Sequence, residues 1–438
     1  MSAILLIMFK NANRAFLFLI LPLFVWAADN SWHHSKIIQY HAKQADSNRV
    51  VVGLDLLSQT DFRLIKKKRV AIVCNTGSLN GSGVHILDII ENRNEFELVS
   101  IIQISEKRFN TESSGMNFIQ SDSMENILHI FITPANPQIM ENDLNKANLI
   151  LFDLQSIGIR FDINYDVLLS LMNLSSKTGI PLLILDRPNP LTATIMEGPT
   201  ANSKGLQTGV KIPWRYGMTF GELALLINEE GWLASQKYAN LYLVPMFHYS
   251  RSDWFDETGL PWSIPLNDIY TIGILLKYCS TCFFQYANVS NGLGSLFQYE
   301  VGGAPWISGP VVKDRLNQLS EPWVEFSLVT FVPGSRSTVL RSEYYIGEEC
   351  SGIRINITDR NLYRTSTVGT HLLGIIAQMY SRHFRWEDTQ AIDELFGDDS
   401  FRTTVDTGAE IRRLYPVWVA DLTSFQKIRQ KYLLYSNE

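Results

Sequence analysis

Two uninterrupted apolar runs, each ending in aspartate, constrain the fold of this chain more than any other feature. Residues 148–153 read NLILFD and residues 181–186 read PLLILD, so neither run alternates between apolar and polar side chains. Continuous apolar strands are buried on both faces, which is typical of a parallel sheet covered by helices. Apolar residues at helical spacing fill positions 167–174 between the runs, and Gly179 is placed to end that helix. The pattern predicts a strand, a helix and a parallel strand in succession.

The same alternation extends over much of the chain. Short buried strands are expected at residues 69–75 and 98–102, and Thr219 and Glu222 fit a capping box that begins a further helix. After about residue 270 the sequence becomes rich in glycine and aromatic residues. Strand-like pieces and two helices follow, at residues 326–331, 353–357, 368–379 and 419–432. We predict an α/β chain with a Rossmann-like N-terminal domain built on a parallel sheet and a smaller α+β C-terminal domain.

Length and charge predict the number of domains and exclude one class of partner. Single hydrophobic cores stop growing near ~250–300 residues. A chain of 438 residues therefore predicts two domains, which we place at residues 49–270 and 271–438. Lys and Arg number 38 against 44 Asp and Glu, and the longest basic block is the short run at residues 66–69. Proteins that bind phosphate backbones carry a clustered basic footprint, so nucleic acid is excluded as a partner.

The first 27 residues have the features of an export signal. Lys10 and Arg14 precede an apolar run at residues 15–26, which is too short to span a bilayer as a mature helix. A small-residue pattern ends at Ala27, so we predict cleavage after this residue. An uncleaved membrane anchor is the alternative. Residues 28–48 are polar and irregular, and we expect a mobile lead-in to a periplasmic or secreted mature protein without a membrane span.

The cysteines carry little signal for chemistry. They are Cys74, Cys279, Cys282 and Cys350. One C-x-x-C pair without a matching second pair makes a poor zinc site, and no thioredoxin-like strand and helix surround it. Buried thiols and a single disulfide are both compatible with an oxidising compartment. We expect no metal site at these residues.

A ligand is expected beyond the carboxyl ends of the predicted strands, as in other open parallel sheets. Asn75, Asp153 and Asp186 all lie there. A dinucleotide is the first candidate ligand for such a fold. However, the turn at residues 77–83, GSLNGSG, lacks the G-x-G-x-x-G order that brings a pyrophosphate to a helix N-terminus. We therefore predict no cofactor, which argues against an oxidoreductase.

Several long motifs in a fixed order carry a family resemblance. They read FDLQSIGIRF, LDRPNP, EGP, RYGMT, WFDETGLPW, NVS, GAPW, CSG, TDR and KYLLY, between residues 152 and 435. In these motifs the chain resembles the exo-β-N-acetylmuramidase (NamZ) family, over nearly all residues from Val52 to the end. The resemblance implies a Rossmann-like domain, a smaller domain and a cleft between them. It also implies hydrolysis of the terminal, non-reducing N-acetylmuramic acid from peptidoglycan fragments.

The chain departs from the family pattern at polar positions where chemistry is expected. A Ser-Pro-Glu-His-Gly loop of the family reads QISEK at residues 103–107, and a shift of one residue places the family glutamate on Glu106. A family histidine is replaced by Tyr216, a poor substitute because tyrosine has a pKa near ~10. Two family carboxylates are the amides Gln285 and Asn291 here. Amides keep the size and hydrogen bonding of a carboxylate but cannot donate a useful proton.

The residues and the resemblance together suggest roles for individual side chains. Glycoside hydrolysis needs a proton donor and a carboxylate that acts as base or nucleophile. The candidate catalytic residues are Glu106, Asp153 and Asp186. The candidate substrate-binding residues are Asn75, Arg160, Arg187, Asn189, Arg215, Asn288 and Glu300.

Each of these roles has a structural alternative. Arginines match the lactyl carboxylate of muramic acid, but they can also form salt bridges to the same aspartates. Asparagines suit hydroxyl or acetamido recognition, or simply stabilise turns. Glu106 can equally be a solvated loop carboxylate, and Glu300 can belong to a structural ion pair. Trp254, Trp262 and Trp306 can stack on a sugar, although we expect at least two of them to pack in the core.

Two functions from different classes follow. The first is an exo-acting glycosidase of cell-wall turnover, and the second is a catalytically weakened relative that binds muropeptides or another cell-wall sugar. Two carboxyl groups facing each other across the cleft at ~5–10 Å favour the enzyme, and a cleft lined only by amides and arginines favours the binder. The partner is a peptidoglycan-derived sugar or muropeptide in both cases. The oligomeric state stays open.

Overall fold

The computed structural model describes residues 32–38, 49–91, 93–104, 127–132, 139–266, 268–335 and 344–436. The strands in chain order are β1 (Ser35–Ile37), β2 (Arg69–Cys74), β3 (Glu97–Ile104), β4 (Leu128–Ile132), β5 (Leu149–Asp153), β6 (Leu182–Leu185), β7 (Glu197–Asn202), β8 (Lys211–Arg215), β9 (Leu241–Val244), β10 (Val301–Ala304), β11 (Val324–Phe331) and β12 (Cys350–Ile357). The helices are α1 (Gly53–Gln59), α2 (Ile86–Ile90), α3 (Ile163–Thr178), α4 (Phe220–Glu229), α5 (Ile272–Thr281), α6 (Gly309–Asn317), α7 (Thr365–Met379), α8 (Thr389–Phe396), α9 (Ser400–Asp406) and α10 (Tyr415–Arg429).

A parallel sheet organises the first part of the chain. Within the described residues it has seven strands in the order β1-β9-β6-β5-β2-β3-β4, and every neighbouring pair is parallel. The chain moves outward from β2 through β3 to β4, and then returns to the other side of β2 with β5. This reversal between β2 and β5 is the switch point of a doubly wound α/β sheet. The prediction of a Rossmann-like parallel-sheet domain is confirmed.

Both faces of this sheet are covered, as the uninterrupted apolar runs predicted. In β2, Ala71 and Val73 pack into one hydrophobic cluster, whereas Val70, Ile72 and Cys74 pack into another. The first cluster includes α3 and α4, and the second includes α1 and α2. Because successive strand residues point to opposite faces, a strand between two helical layers needs apolar side chains at every position.

Local signals in the sequence set the ends of the two helices on the first face. The Asp162 side chain accepts a hydrogen bond from the Asn164 backbone at the start of α3, and Gly179 ends that helix with φ of 75°. At the start of α4 the side chain of Thr219 and that of Glu222 form both bonds of the predicted capping box. Glu222 therefore has the structural role that its sequence context predicted.

The edge strand β1 differs from the sequence prediction. Residues 35–37 lie inside the segment expected to be a mobile lead-in, yet they pair in parallel with Leu241–Leu243 of β9. A strand of three residues is too short to produce a periodic pattern, and the pairing depends on β9, some two hundred residues later in the chain. The expectation of a mobile segment is wrong for these three residues.

The second part of the chain is a smaller α+β region, as predicted. Strands β10, β12 and β11 form an antiparallel sheet in that order. Helices α5 and α7 lie against it in a hydrophobic cluster that also includes Trp214 and Trp254 from the sheet domain. The last residues then return to the first domain, where Phe425 and Tyr432 join one of the two clusters that cover the large sheet. The domain limits at residues 270 and 271 stay a prediction.

All four cysteines are buried and unpaired. The first of the two alternatives, buried thiols, is therefore the one that the structure contains. Burial raises the pKa of each thiol above its ordinary value, so none has the thiolate character of a reactive cysteine. No helix in the described ranges is long and apolar enough to cross a bilayer, and the predicted signal segment, residues 1–27, lies outside those ranges.

The close packing of α5 against α7 gives a test of the fold. A Cβ atom added to Gly369 in α7 would overlap the Ser280 carbonyl oxygen and lie 2.9 Å from a Phe283 ring carbon. We expect Gly369→Ala to lower the free energy of unfolding by about 1–3 kcal/mol. Gly273→Ala in α5 is the matched control, because its Cβ would meet only the Thr271 hydroxyl oxygen at 3.8 Å. The control should gain up to about 1 kcal/mol from helix propensity. Equal unfolding midpoints in denaturant for the two variants would contradict the packing.

Candidate active site

The carboxyl ends of β2 and β5 meet at the switch point, and the residues that follow them form one buried polar network. Asn75 is 1% exposed. Its Nδ2 donates to the Gln155 carbonyl oxygen at 2.9 Å and to Asn164 Oδ1 at 3.0 Å. Its Oδ1 accepts from the Gly77 backbone N–H at 3.0 Å. Asn75 therefore joins the turn after β2, the turn after β5 and the first turn of α3.

Asp153, at the end of β5, forms a buried bidentate ion pair with Arg187. The Arg187 Nε lies 2.6 Å from Asp153 Oδ1, and Nη2 lies 2.8 Å from Oδ2. The remaining guanidinium nitrogen, Nη1, donates to the Leu79 carbonyl oxygen at 2.8 Å. The side chains are 0% and 4% exposed. Salt bridging between the predicted arginines and aspartates was the structural alternative, and this pair forms it.

Asp186, just after β6, is buried and accepts four hydrogen bonds. Oδ2 accepts from the hydroxyls of Thr219 at 2.7 Å and Tyr435 at 2.6 Å. Oδ1 accepts from the backbone N–H groups of Gly221 at 2.9 Å and Arg187 at 3.0 Å. Burial raises the pKa of Asp186 to about 6, although these hydrogen bonds favour the ionised form. Asp153 and Asp186 thus converge on Arg187, one on its side chain and the other on its backbone.

Two predicted binding asparagines use their side chains in hydrogen bonds to backbone groups. Asn189 donates from Nδ2 to the Met218 carbonyl oxygen at 2.8 Å and accepts from the Leu191 N–H at 3.0 Å. Asn288 lies in the C-terminal region and is 1% exposed. It donates to the His383 carbonyl oxygen at 2.8 Å, and its Oδ1 accepts from the Arg385 N–H at 2.9 Å.

Arg215 connects the two parts of the chain through a buried ion pair. Its Nη1 lies 2.9 Å from Glu197 Oε1, and the same carboxylate oxygen accepts from the Thr365 hydroxyl at 2.9 Å. Thr365 is the first residue of α7. A carboxylate at a helix N-terminus also interacts favourably with the helix dipole. The pair therefore fixes the start of α7 against β7 and β8.

Arg160 differs from Arg187 and Arg215 because it has no carboxylate partner among the described residues. Its Nη2 donates to the Leu395 carbonyl oxygen in α8 at 2.7 Å, and its buried Nε has no hydrogen-bond partner in the described part of the chain. Burial lowers the pKa of Arg160 to about 10. Arg215 also has a buried Nε without a hydrogen-bond partner, but of the three predicted arginines only Arg160 forms no ion pair among the described residues.

Glu300 is not part of this polar network. Glu300 precedes β10 and contacts Lys277 Nζ at 2.5 Å and Arg354 Nη2 at 3.1 Å. Burial opposes its ionisation, but these two cations outweigh that effect and hold the pKa of Glu300 below its usual value. Glu106 lies outside the described residues. Its role stays a prediction from the resemblance.

Sequence reasoning missed a pair of carboxyl groups in the first turn of α3. Asp162 is buried, and burial raises its pKa to about 6. Asp166 is solvent-accessible, yet it lies among enough protein atoms that desolvation, and then the charge of Asp162, raise its pKa to about 7. Acidic residues in a first helical turn commonly serve only the helix dipole, so the sequence alone did not single them out. Their position at the start of the helix that follows β5 was the available signal.

The substituted aromatic position and the tryptophans have mostly structural surroundings. Tyr216 is fully buried, and its ring centroid lies 6.3 Å from that of Tyr165. Trp254 donates to Asn361 Oδ1 at 3.0 Å, and Trp262 donates to the Ile269 carbonyl oxygen at 2.8 Å. Both belong to or pack against the core of the C-terminal region, as expected for at least two of the three. Trp306 is half-buried.

The described ranges contain no group of three or more His, Cys, Asp or Glu side chains placed to hold a metal ion. The network at the switch point consists instead of ion pairs, amides and hydroxyls. Most of its polar atoms bind other protein atoms, so it forms a rigid support beneath the carboxyl edge. Among the described residues, the buried atoms Gln155 Oε1, Arg160 Nε and Arg215 Nε have no hydrogen-bond partner, and Asp166 is solvent-accessible.

Comparisons with known proteins agree with this architecture. Models of the N-terminal and C-terminal domains of the exo-β-N-acetylmuramidase NamZ match residues 70–272 and 276–435. The chain is 27% identical over 401 residues to the peptidoglycan β-N-acetylmuramidase NamZ of Bacillus subtilis strain 168, covering 89% of this chain and 92% of that protein.

Solved structures show the same fold. One DUF1343 family protein of Bacteroides fragilis superposes with a TM-score of 0.78 and 23% identity, covering 89% of this chain and 100% of that chain. A second from the same species gives a TM-score of 0.69 and 25% identity, covering 90% of this chain and 100% of that chain.

The buried ion pair at the switch point can be tested by a double-substitution cycle. Arg187→Met removes the cation and leaves Asp153 buried without its bidentate partner. We expect this variant to lose about 3–5 kcal/mol of unfolding free energy at pH 7. Adding Asp153→Leu should recover much of that loss, because the uncompensated charge is then gone. Denaturant unfolding of the wild type, both single variants and the double variant measures the coupling. If the losses of unfolding free energy in the two single variants simply add in the double variant, a direct interaction between Asp153 and Arg187 is contradicted.

Proposed function

The chain belongs to the exo-β-N-acetylmuramidase NamZ family, and from that premise we propose that it is an exo-acting glycoside hydrolase that releases terminal non-reducing N-acetylmuramic acid from peptidoglycan fragments. The observation that carries the proposal is the 27% identity to a named peptidoglycan β-N-acetylmuramidase over 89% of this chain. The glycosidase character follows from the family. The sugar, the exo mode and a role in cell-wall turnover are the proposed part.

The structure supports a substrate site at the carboxyl edge above the switch point. In doubly wound sheets this crevice is where ligands bind. The buried network of Asn75, Asp153 and Arg187 makes the edge rigid, which preserves the positions of loops that contact a ligand. In our proposal Arg160 binds the lactyl carboxylate of muramic acid. Its guanidinium forms no ion pair in the described ranges, although the charge of Asp166 acts on it, and carboxylates match guanidinium geometry.

The chemistry needs two carboxyl groups with different protonation states. We assign the proton donor to Glu106, as the family motif suggests. Asp153 and Asp186 were the other catalytic candidates, but all four of their carboxylate oxygens are occupied by protein donors. We therefore propose positioning roles for them and assign the base or nucleophile to Asp166, which is solvent-accessible at the same edge.

A protein that binds the sugar without cleaving it is the second candidate. The occupied carboxylates of Asp153 and Asp186 favour it, together with the amides Gln285 and Asn291 at family carboxylate positions. Both functions use the same site and the same class of ligand. They differ in whether bond cleavage follows binding. The export signal that we predict at residues 1–27 fits either function, because peptidoglycan lies outside the cytoplasm.

A disaccharide assay separates the two functions. The chain from Ala28 onward is incubated with MurNAc-GlcNAc, and free MurNAc is measured by mass spectrometry. We expect release by the wild type and a loss of about 10²-fold or more in Glu106→Gln, because general acid catalysis contributes that much. Glu325→Gln on the exposed surface of β11 is the matched control and should retain wild-type activity. Binding of the disaccharide by calorimetry without any release would favour the sugar-binding protein instead.

The assignment of Asp166 predicts a pH dependence. A base must be ionised, so kcat/KM of the wild type should rise with pH through about 7, the pKa of Asp166. Asp166→Asn should lower kcat/KM by about 10²-fold and remove this rise. Asp88→Asn is the control, since Asp88 is an exposed aspartate in the first turn of α2. A pH profile that keeps the same rise in Asp166→Asn would contradict the assignment.

A further inference from the structure

The C-terminal segment, residues Arg429–Ser436, runs back over the first domain and ends at the carboxyl edge of the large sheet. The Leu434 N–H donates to Glu222 Oε1 at 2.8 Å, and the Ser436 carbonyl oxygen accepts from the Arg251 N–H at 2.9 Å. Arg429 donates to the Gly217 carbonyl oxygen from Nε at 3.0 Å. These contacts hold the segment in register between α4 and the loops after β8 and β9.

Tyr435 is the residue of this segment that reaches the strand ends. Its hydroxyl donates to Asp186 Oδ2 at 2.6 Å, after β6, and accepts from the Met246 N–H at 3.1 Å, after β9. Its ring meets that of Tyr249 edge to face, with centroids 5.1 Å apart. The hydroxyl and the ring therefore make separable contributions, one polar and the other apolar.

A continuous chain of contacts leads from this hydroxyl to the switch point. Asp186 uses its second oxygen to accept from the Arg187 backbone N–H, and the Arg187 side chain holds Asp153 through two short hydrogen bonds. Asp153 ends β5, and the loop that follows it leads to the start of α3. Three contacts thus connect Tyr435 to the site proposed above.

We propose that Tyr435 is a positioning residue of the candidate active site, acting through Asp186 and Arg187 on Asp153. The expected effect on turnover rests on the proposed function, whereas the hydrogen bond from Tyr435 to Asp186 does not. The C-terminal segment is then a part of the site and not only a tail that packs on the domain surface.

Because the Asp186 carboxyl titrates, the role of Tyr435 predicts a pH dependence of stability that packing alone does not produce. The titratable and charged groups around this carboxyl are Arg187, Tyr216, Glu222, Tyr249, Arg251 and Tyr435. The pKa of Asp186, about 6, lies above the ~3.9 of an unfolded chain. Its contribution to stability is therefore complete below pH ~4 and is lost as pH rises through about 6. Without the Tyr435 hydroxyl the pKa of Asp186 in the folded protein is higher still. More unfolding free energy is therefore lost at alkaline pH.

Two matched tyrosine variants test the proposal. Tyr435→Phe and Tyr432→Phe each remove one hydroxyl and keep the ring. The Tyr432 hydroxyl donates to Glu230 at 2.7 Å, and the pKa of Glu230 lies below its usual value, so this carboxylate is ionised throughout pH 5–8. Unfolding midpoints in denaturant are measured at pH 5 and pH 8. We expect the decrease caused by Tyr435→Phe to be greater at pH 8 and the decrease caused by Tyr432→Phe to be equal at both. Equal decreases for Tyr435→Phe would overturn the proposal.

Turnover gives the second readout. With MurNAc-GlcNAc at pH 7.5 we expect Tyr435→Phe to lower kcat about tenfold with KM within about twofold, and Tyr432→Phe to match the wild type. Wild-type kcat in Tyr435→Phe would overturn the positioning role. Absence of turnover in the wild type would contradict the proposed function alone. In that case the pH-dependent unfolding of Tyr435→Phe and Tyr432→Phe alone decides whether Tyr435 holds Asp186.

Discussion

The buried ion pair between Asp153 and Arg187 is the interaction on which the carboxyl edge depends. One guanidinium holds the end of β5 with two hydrogen bonds and the turn after β2 through the Leu79 carbonyl oxygen, while its own backbone follows β6. Removing two charges from water is costly, and the cost is offset only when every lone pair and proton finds a partner. The pair is therefore favourable only in the assembled edge, which couples three neighbouring strand ends to one another.

Buried polar groups with specific hydrogen-bond partners also form the contact between the two parts of the chain. Glu197 binds both Arg215 and the first residue of α7, and Arg160 binds a carbonyl oxygen of α8. Tyr435 brings the end of the chain back to Asp186. Polar groups of the first domain thus need residues of the second to be satisfied. Since an unsatisfied buried polar group is costly, these contacts favour one relative arrangement of the two parts.

This pattern explains why the family motifs are recognisable although the reactive positions differ. The motif residues Asp153, Arg187, Asn189 and Arg215 are buried and make several hydrogen bonds each. Replacing any of them leaves a partner unsatisfied. Gln285 and Asn291, at departures from the family pattern, are partly exposed, and Asn291 Nδ2 makes one long hydrogen bond of 3.4 Å to the Thr281 carbonyl oxygen. Family membership at 27% identity therefore describes the scaffold.

The sequence by itself determined the features that depend on near neighbours in the chain. The apolar runs of β5 and β6, the capping box of Thr219 and Glu222 and the glycine end of α3 are local signals, and the structure contains them as predicted. The tertiary structure alone decided the partners of the candidate site residues. Asp153 meets Arg187 across 34 positions and Asp186 meets Tyr435 across 249, and the three-residue strand β1 pairs with β9. The physical reason is that a buried carboxylate takes its role from the donors that surround it, and long-range packing brings those donors together.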